Sequence, residues 1–91
     1  MLRITEKPGE KGQRVLLLEG KVCRQWLNEL RSEIDKTIHE GKRLELDFSR
    51  VTFIDDEGAR LLNLSNAEKV EKINCSPFIR SLLDIDTRGK N

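Results

Sequence analysis

The chain alternates short apolar runs with amphipathic stretches. Leu2 to Glu6 reads as a short strand, and Lys7-Pro8-Gly9-Glu10-Lys11-Gly12 after it as a loop, since Pro and Gly punctuate turns. Val15-Leu16-Leu17-Leu18-Glu19 is apolar up to Gly20, the pattern of a strand buried on both faces. Val22, Trp26, Leu30, Ile34 and Ile38 recur every fourth residue, with Cys23 and Leu27 widening the stripe. This spacing predicts an amphipathic helix over 22–39, with Gly41 as its C-cap. Leu44-Glu45-Leu46-Asp47-Phe48 alternates with the period of a strand, and Val51, Phe53 and Ile54 extend it. A short second helix then starts at Asp55, with Leu61, Leu62 and Leu64 as its buried side and weak helix formers Asn63, Ser65 and Asn66 near its end. Val70 to Cys75 reads as a further strand. Ser76 is the N-cap and Pro77 the first residue of a last helix, in which Phe78, Leu82 and Ile85 form the apolar stripe with Ile79 and Leu83 beside it. Strands alternating with helices predict an α/β fold with a mainly parallel sheet and right-handed crossovers.

Ninety-one residues suit a single domain spanning 1–91, with a core over about 2–85 and a polar tail over 86–91. Charged and hydrophobic residues each make up 36% of the chain, so a charge-rich surface encloses a lean core. The net charge of +1 gives no electrostatic reason to expect nucleic acid or an anionic membrane as partner. No run approaches the roughly 18 apolar residues of a membrane span, and the N-terminus lacks the apolar stretch of a secretory signal, so the expected location is cytoplasmic. Cys23 and Cys75 are far apart and His39 is the single histidine, too few ligands for a structural zinc site. Neither a phosphate-binding Gly-rich loop nor a G-x-S-x-G elbow occurs. No metal, cofactor or catalytic residue is therefore expected, and the chain reads as a non-enzyme.

One constellation stands out: the acidic turn Asp55-Asp56-Glu57-Gly58 between a strand and a helix. Three readings are open at this point. The carboxylates are hard oxygen ligands of the kind Mg²⁺ takes. They also suit a helix start, with Asp55 as N-cap and two acids at the positive end of the helix dipole. Third, they offer a partner a compact charged surface.

The run Leu16-Leu17-Leu18-Glu19-Gly20-Lys21-Val22, the helix with Trp26 and Leu30, and above all Leu44-Glu45-Leu46-Asp47-Phe48-Ser49-Arg50-Val51-Thr52-Phe53-Ile54-Asp55 followed by Gly58 and Leu61-Leu62, carry a resemblance. Over roughly residues 15–85 the chain resembles the STAS domain, the fold of bacterial anti-sigma factor antagonists that is also appended to sulfate transporters. The resemblance implies a STAS-like, mainly parallel or mixed four-stranded sheet with helices packed on it, and leaves antiparallel pairing open to the N-terminal strand. It implies a non-enzymatic protein-interaction module for a regulatory protein such as an anti-sigma factor. The implied docking surface is the 55–58 turn with the following helix: Asp55, Asp56, Glu57, Gly58, Ala59, Arg60 and Asn63.

Typical members place two hydroxyl residues between the Asp and the Gly, and a partner kinase phosphorylates a Ser there to release the complex. Here Asp56 and Glu57 hold those positions, so no phosphorylation is expected on the turn. Their two fixed charges approach the −1.5 to −2 or so of a phosphoserine without its tetrahedral shape. Ser49 is expected to hold the turn before it through a local side-chain hydrogen bond. The family's usual final strand and helix have no counterpart after Asp84-Ile85-Asp86-Thr87. An uncovered edge or apolar face would favour a weak homodimer. The alternative function is a small-molecule or nucleotide-binding sensor on the same fold, against which stands the lack of a phosphate cradle.

Overall fold

The computed structural model describes residues 1–64 and 69–88, with side chains described through residue 84 in the last helix. Along the chain run β1 (Leu2–Lys7), β2 (Gln13–Val22), a single 3₁₀ turn (Arg24–Trp26), α1 (Leu27–His39), β3 (Arg43–Ile54), α2 (Asp56–Leu64), β4 (Val70–Ile73) and α3 (Pro77–Arg88). The sheet order is β1-β2-β3-β4. β1 pairs antiparallel with β2 across the Pro-Gly loop, while β2–β3 and β3–β4 are parallel. The sheet is therefore mixed, and the N-terminal strand supplies its antiparallel pair.

Both parallel crossovers step in the same direction across this sheet. Right-handed connections then put their helices on the same face. The core lies between that face and the helices. Leu16, Leu18, Leu44, Leu46 and Phe48 from the strands meet Leu27, Leu30 and Ile34 of α1, Ala59 and Leu62 of α2, and Ile79 and Leu83 of α3.

The opposite face carries polar contacts instead, such as Gln13 Nε2 donating to Glu45 at 2.7 Å. This corrects the reading of β2 as buried on both faces. Leu17 and Glu19 are half-buried, while Val15 is covered because Gly9 of the loop lies against its Cγ2 atom. Among the described residues the sheet has one helical layer, so helices close only one face of β2.

The helix expected over 22–39 is also corrected. Val22 is the last residue of β2, paired with Ile54, and α1 begins at Leu27. β2 passes through Gly20 at φ +103 with a register shift beside it, a conformation open to glycine, so the glycine bends the strand without ending it. A β-branched residue opposite another β-branched residue suits a sheet better than a helix start. Cys23 is extended, and Trp26 is half-buried against the core with its indole N–H enclosed and unpaired among the described residues.

At the other end, α1 finishes as expected. Gly41 at φ +72 donates to Ile38 and Lys42 donates to Thr37, the paired bonds of a Schellman cap.

In α3 the buried pair is Ile79 and Leu83, whereas Phe78 is 56% exposed. The stripe expected from Phe78 through Leu82 is thus rotated by one position, and Ile85, its third member, has a side chain outside the described ones. Ser76 does cap the helix, its Oγ accepting from Ile79 N–H at 3.1 Å. The backbone stays helical to Arg88, into the stretch expected as tail; Gly89 to Asn91 lie outside the described residues, as do Ser65 and Asn66. β4 ends at Ile73, since Asn74 turns to φ +57.

Two polar clusters hold these elements in place. Arg14 lies on the helix side of β2 and is buried. It donates to Thr37 Oγ1 at 2.8 Å and Glu33 at 2.9 Å on α1, and to Glu6 at 3.0 Å on β1. The Arg14 bond, then its charge, hold the Glu6 carboxyl below its ordinary value. On the open face, Asp47 accepts from Ser49 N–H at 2.9 Å, Lys7 Nζ at 3.0 Å and Asn74 Nδ2 at 3.2 Å. Burial alone would push Asp47 up. The Ser49, Lys7 and Asn74 donors outweigh it and hold the carboxyl well below the usual carboxylate range. The Ser49 hydroxyl expected to hold the turn does bond locally, to the Asp47 carboxylate, beside the stronger bond from the Ser49 backbone N–H.

Candidate functional site

The acidic turn sits where the C-terminal ends of β2 and β3 meet. Asp55 fastens it. Its N–H donates to Val22 O at 3.1 Å. Its Oδ1 accepts from Gly58 N–H at 2.7 Å, and its backbone oxygen accepts from Ala59 N–H at 2.9 Å, which caps α2. Its Oδ2 accepts from the Arg24 backbone N–H at 2.8 Å. One carboxylate therefore starts a helix and bolts the β3–α2 connection to the β2–α1 connection. Gly58 completes the joint. A Cβ there would collide with the Val22 carbonyl oxygen and crowd the Val22 and Ile54 side chains.

The seven residues singled out from sequence divide by what their side chains touch. Asp56 is exposed in the first turn of α2. Glu57 is half-buried, with its carboxylate 3.4 Å from Arg24 Nε. Arg60 is exposed one turn further on. Gly58 and Ala59 are buried, so they shape the surface from below. Asn63 sends its Nδ2 to Leu83 O at 2.9 Å, tying α2 to α3 at a distance from the turn.

Arg24 is the member that sequence reasoning missed. It contributes a backbone donor and a guanidinium to this surface from 31 positions upstream of Asp55. Nothing local to Arg24 announces that role, because its partners arrive only when β2 and β3 pair.

This changes the electrostatics of the turn. Asp55 spends both oxygens on backbone N–H groups, and Glu57 faces a guanidinium. The carboxylate presented outward is chiefly that of Asp56. Among the described residues no three His, Cys, Asp or Glu side chains converge as metal ligands would. Of the two cysteines, Cys75 has its thiol pushed up, burial outweighing the nearby Arg80 and Lys72 charges. No helix among the described residues is long and apolar enough to cross a membrane.

Among solved structures, the chain aligns with the anti-sigma factor antagonist SpoIIAA in its unphosphorylated form. The TM-score is 0.65 at 20% sequence identity, over 91% of this chain and 83% of that one. The chain has the STAS fold. SpoIIAA in its phosphorylated form, described as a Bacillus cell fate determinant, aligns with a TM-score of 0.62 at 21% identity, over 97% of this chain and 86% of that one. No protein-family model and no curated protein matches the sequence. At such identities the shared STAS fold is a likeness of backbone and topology, with the mixed four-stranded sheet and the helix after β3 as its frame.

Proposed function

We propose that this chain is a non-enzymatic interaction module, working in the bacterial cytoplasm. It binds a regulatory protein of the anti-sigma factor kind through the 55–58 turn and the start of α2. The observation that carries this reading is the exposed Asp56 carboxylate, held at a helix start by the Asp55 bolt. The STAS fold shared with an anti-sigma factor antagonist supports it. The turn works without a Ser/Thr phospho-switch, because Asp56 and Glu57 offer no hydroxyl. Arg24 belongs to the same surface through its pair with Glu57.

The test is titration calorimetry of the chain against an anti-sigma factor kinase from the same host. Asp56→Lys is expected to weaken binding at least about tenfold, equivalent to about 1.4 kcal/mol. Incubation with that kinase and ATP should leave residues 55–58 unmodified by mass spectrometry. Unchanged affinity, or phosphate on the turn, would each overturn the reading.

A further inference from the structure

β4 is an edge strand of four residues, and its ladder shows which of its backbone groups are in use. Leu44 N–H donates to Lys69 O at 2.7 Å, and Leu44 is the partner of Val70. In a parallel ladder alternate residues direct their N–H and C=O groups at the neighbouring strand. Glu71 and Ile73 therefore turn theirs to β3, while Val70 and Lys72 turn theirs outward. Among the described residues no backbone group bonds the outward groups of Val70 and Lys72.

A groove of about 410 Å³ follows that edge. Val70, Glu71 and Lys72 line it together. Consecutive strand residues point to opposite faces, so the groove lies along the side of the strand and not on one face. Arg80 and Leu83 of α3 and Arg43 at the start of β3 also line it.

The groove's charge is one-sided. Arg43, Lys72 and Arg80 stand against Glu71, and none of the four is in an ion pair among the described residues. Lys72 Nζ reaches a backbone oxygen, Leu62 O, at 3.5 Å. Burial raises the Cys75 thiol, and the Arg80 and Lys72 charges both act against it, so the two cations bear on one part of the groove. Lys72 is the partner of Leu46, on the face that carries the helices, whereas Glu71 is the partner of Glu45 on the other face. The helix side of the groove thus presents two cations and no carboxylate.

We infer that this groove receives an extended acidic segment of a partner protein, added to the sheet as a strand beside β4. Its backbone bonds the outward groups of Val70 and Lys72, in the strand-addition mode in which main-chain bonds give affinity and alternate side chains give specificity. Carboxylates at every second residue of the segment meet Lys72 and Arg80 on the helix side. A second copy of this chain does not supply such a strand, since antiparallel pairing would oppose Glu71 to Glu71 or Lys72 to Lys72. No residue of the 55–58 turn takes part, so this docking edge and the interaction reading above stand or fall separately.

The test uses the whole ¹⁵N-labelled chain and three peptides of about eight residues, within the usual length of a strand. The first alternates Glu with Thr and the second Lys with Thr. The third is the Glu peptide N-methylated at its internal amides, which keeps the charges and removes the donors. The Glu peptide is expected to bind saturably and to slow hydrogen exchange at the Val70 and Lys72 amides. It should bind at least about tenfold more tightly than either other peptide. Arg80→Glu leaves two cations against two carboxylates in the groove and should abolish the preference for Glu over Lys, while Arg80→Lys should retain it. Arg80 is exposed, and circular dichroism checks that both variants fold. Absence of saturation up to about 1 mM, equal binding of the Glu peptide and either other peptide, or unchanged exchange at Val70 and Lys72 would each overturn the inference. Protection of those two amides that grows with the chain's own concentration, without peptide, would overturn it in favour of a second copy. Perturbation confined to the 55–58 turn would overturn it while leaving that turn as the docking site.

Discussion

Asp55 shows how one short side chain can organise a surface. It caps α2 and bonds the Arg24 N–H across two connections, so its removal unties two loops at once. Asp55→Ala is expected to lower stability by about 1–2 kcal/mol in urea unfolding, the sum of a lost cap and a lost hydrogen bond at the exposed Arg24 N–H. Asp55→Asn, which still accepts hydrogen bonds, should cost less than half of that. Gly58→Ala belongs to the same joint. Its methyl meets the Val22 carbonyl oxygen, which the sheet holds in place, so a loss of about 1–3 kcal/mol is expected by the same measurement. The capping role of Asp55 was readable from the sequence, because it lies within a few residues of the donors it serves. Its bond to Arg24 was not, since the acceptor and donor are 31 residues apart.

At the scale of elements, the strands hold one another by polar side chains as well as by their ladders. Asp47 on β3 binds Lys7 at the end of β1 and Asn74 just beyond β4, stitching three strands on the face that carries no helix. Its folded carboxyl lies below the roughly 3.9 of an unfolded Asp. The unfolded chain therefore binds the proton first as the pH falls. The stabilisation is complete above about pH 5 and is lost progressively below it, towards the folded value. The urea midpoint of the wild type should thus fall more steeply between about pH 5 and pH 2 than that of Asp47→Asn. Equal slopes would show that other carboxylates carry the acid sensitivity. The alternation that marked β3 from sequence put Leu44, Leu46 and Phe48 on one face, all of them buried, and gave no sign that Asp47 on the other face is buried too. An alternating pattern reports which residues share a face. It does not report which polar partners arrive on that face from other strands.

For the whole molecule, the four-stranded sheet has β1 and β4 at its edges. A second copy extending such a sheet antiparallel across a two-fold axis must set residues of the same face opposite each other. The axis then passes through a residue. Through the middle of β4 it would oppose Glu71 to Glu71 or Lys72 to Lys72, which is unfavourable. Through Ile4 of β1 it opposes Ile4 to Ile4 and Arg3 to Thr5, with no like charges facing. A weak homodimer through β1 is the expected outcome, seen by light scattering at about 100 µM, a concentration suited to small interfaces. Thr5→Lys, on an exposed side chain, should return it to monomer by placing Lys opposite Arg3. A wild-type chain that is monomeric under those conditions would refute the pairing.

The sequence alone determined the order of strands and helices, the caps at Asp55, Ser76 and Gly41, and the lean α/β core, because each rests on hydrogen bonds or periodicities spanning a few residues. Tertiary structure decided the rest. It assigned Val22 to β2 by pairing it with Ile54, put Arg14 under α1 between Glu33 and Thr37, and, among the described residues, set the helices on one sheet face. It also decided what the acidic turn is. In sequence, Asp55, Asp56 and Glu57 are three adjacent charges. Folded, one is consumed by backbone donors, one faces Arg24, and one is presented to solvent. The difference arises because a carboxylate's effective charge depends on the donors around it, and those donors come from segments that only the sheet brings together.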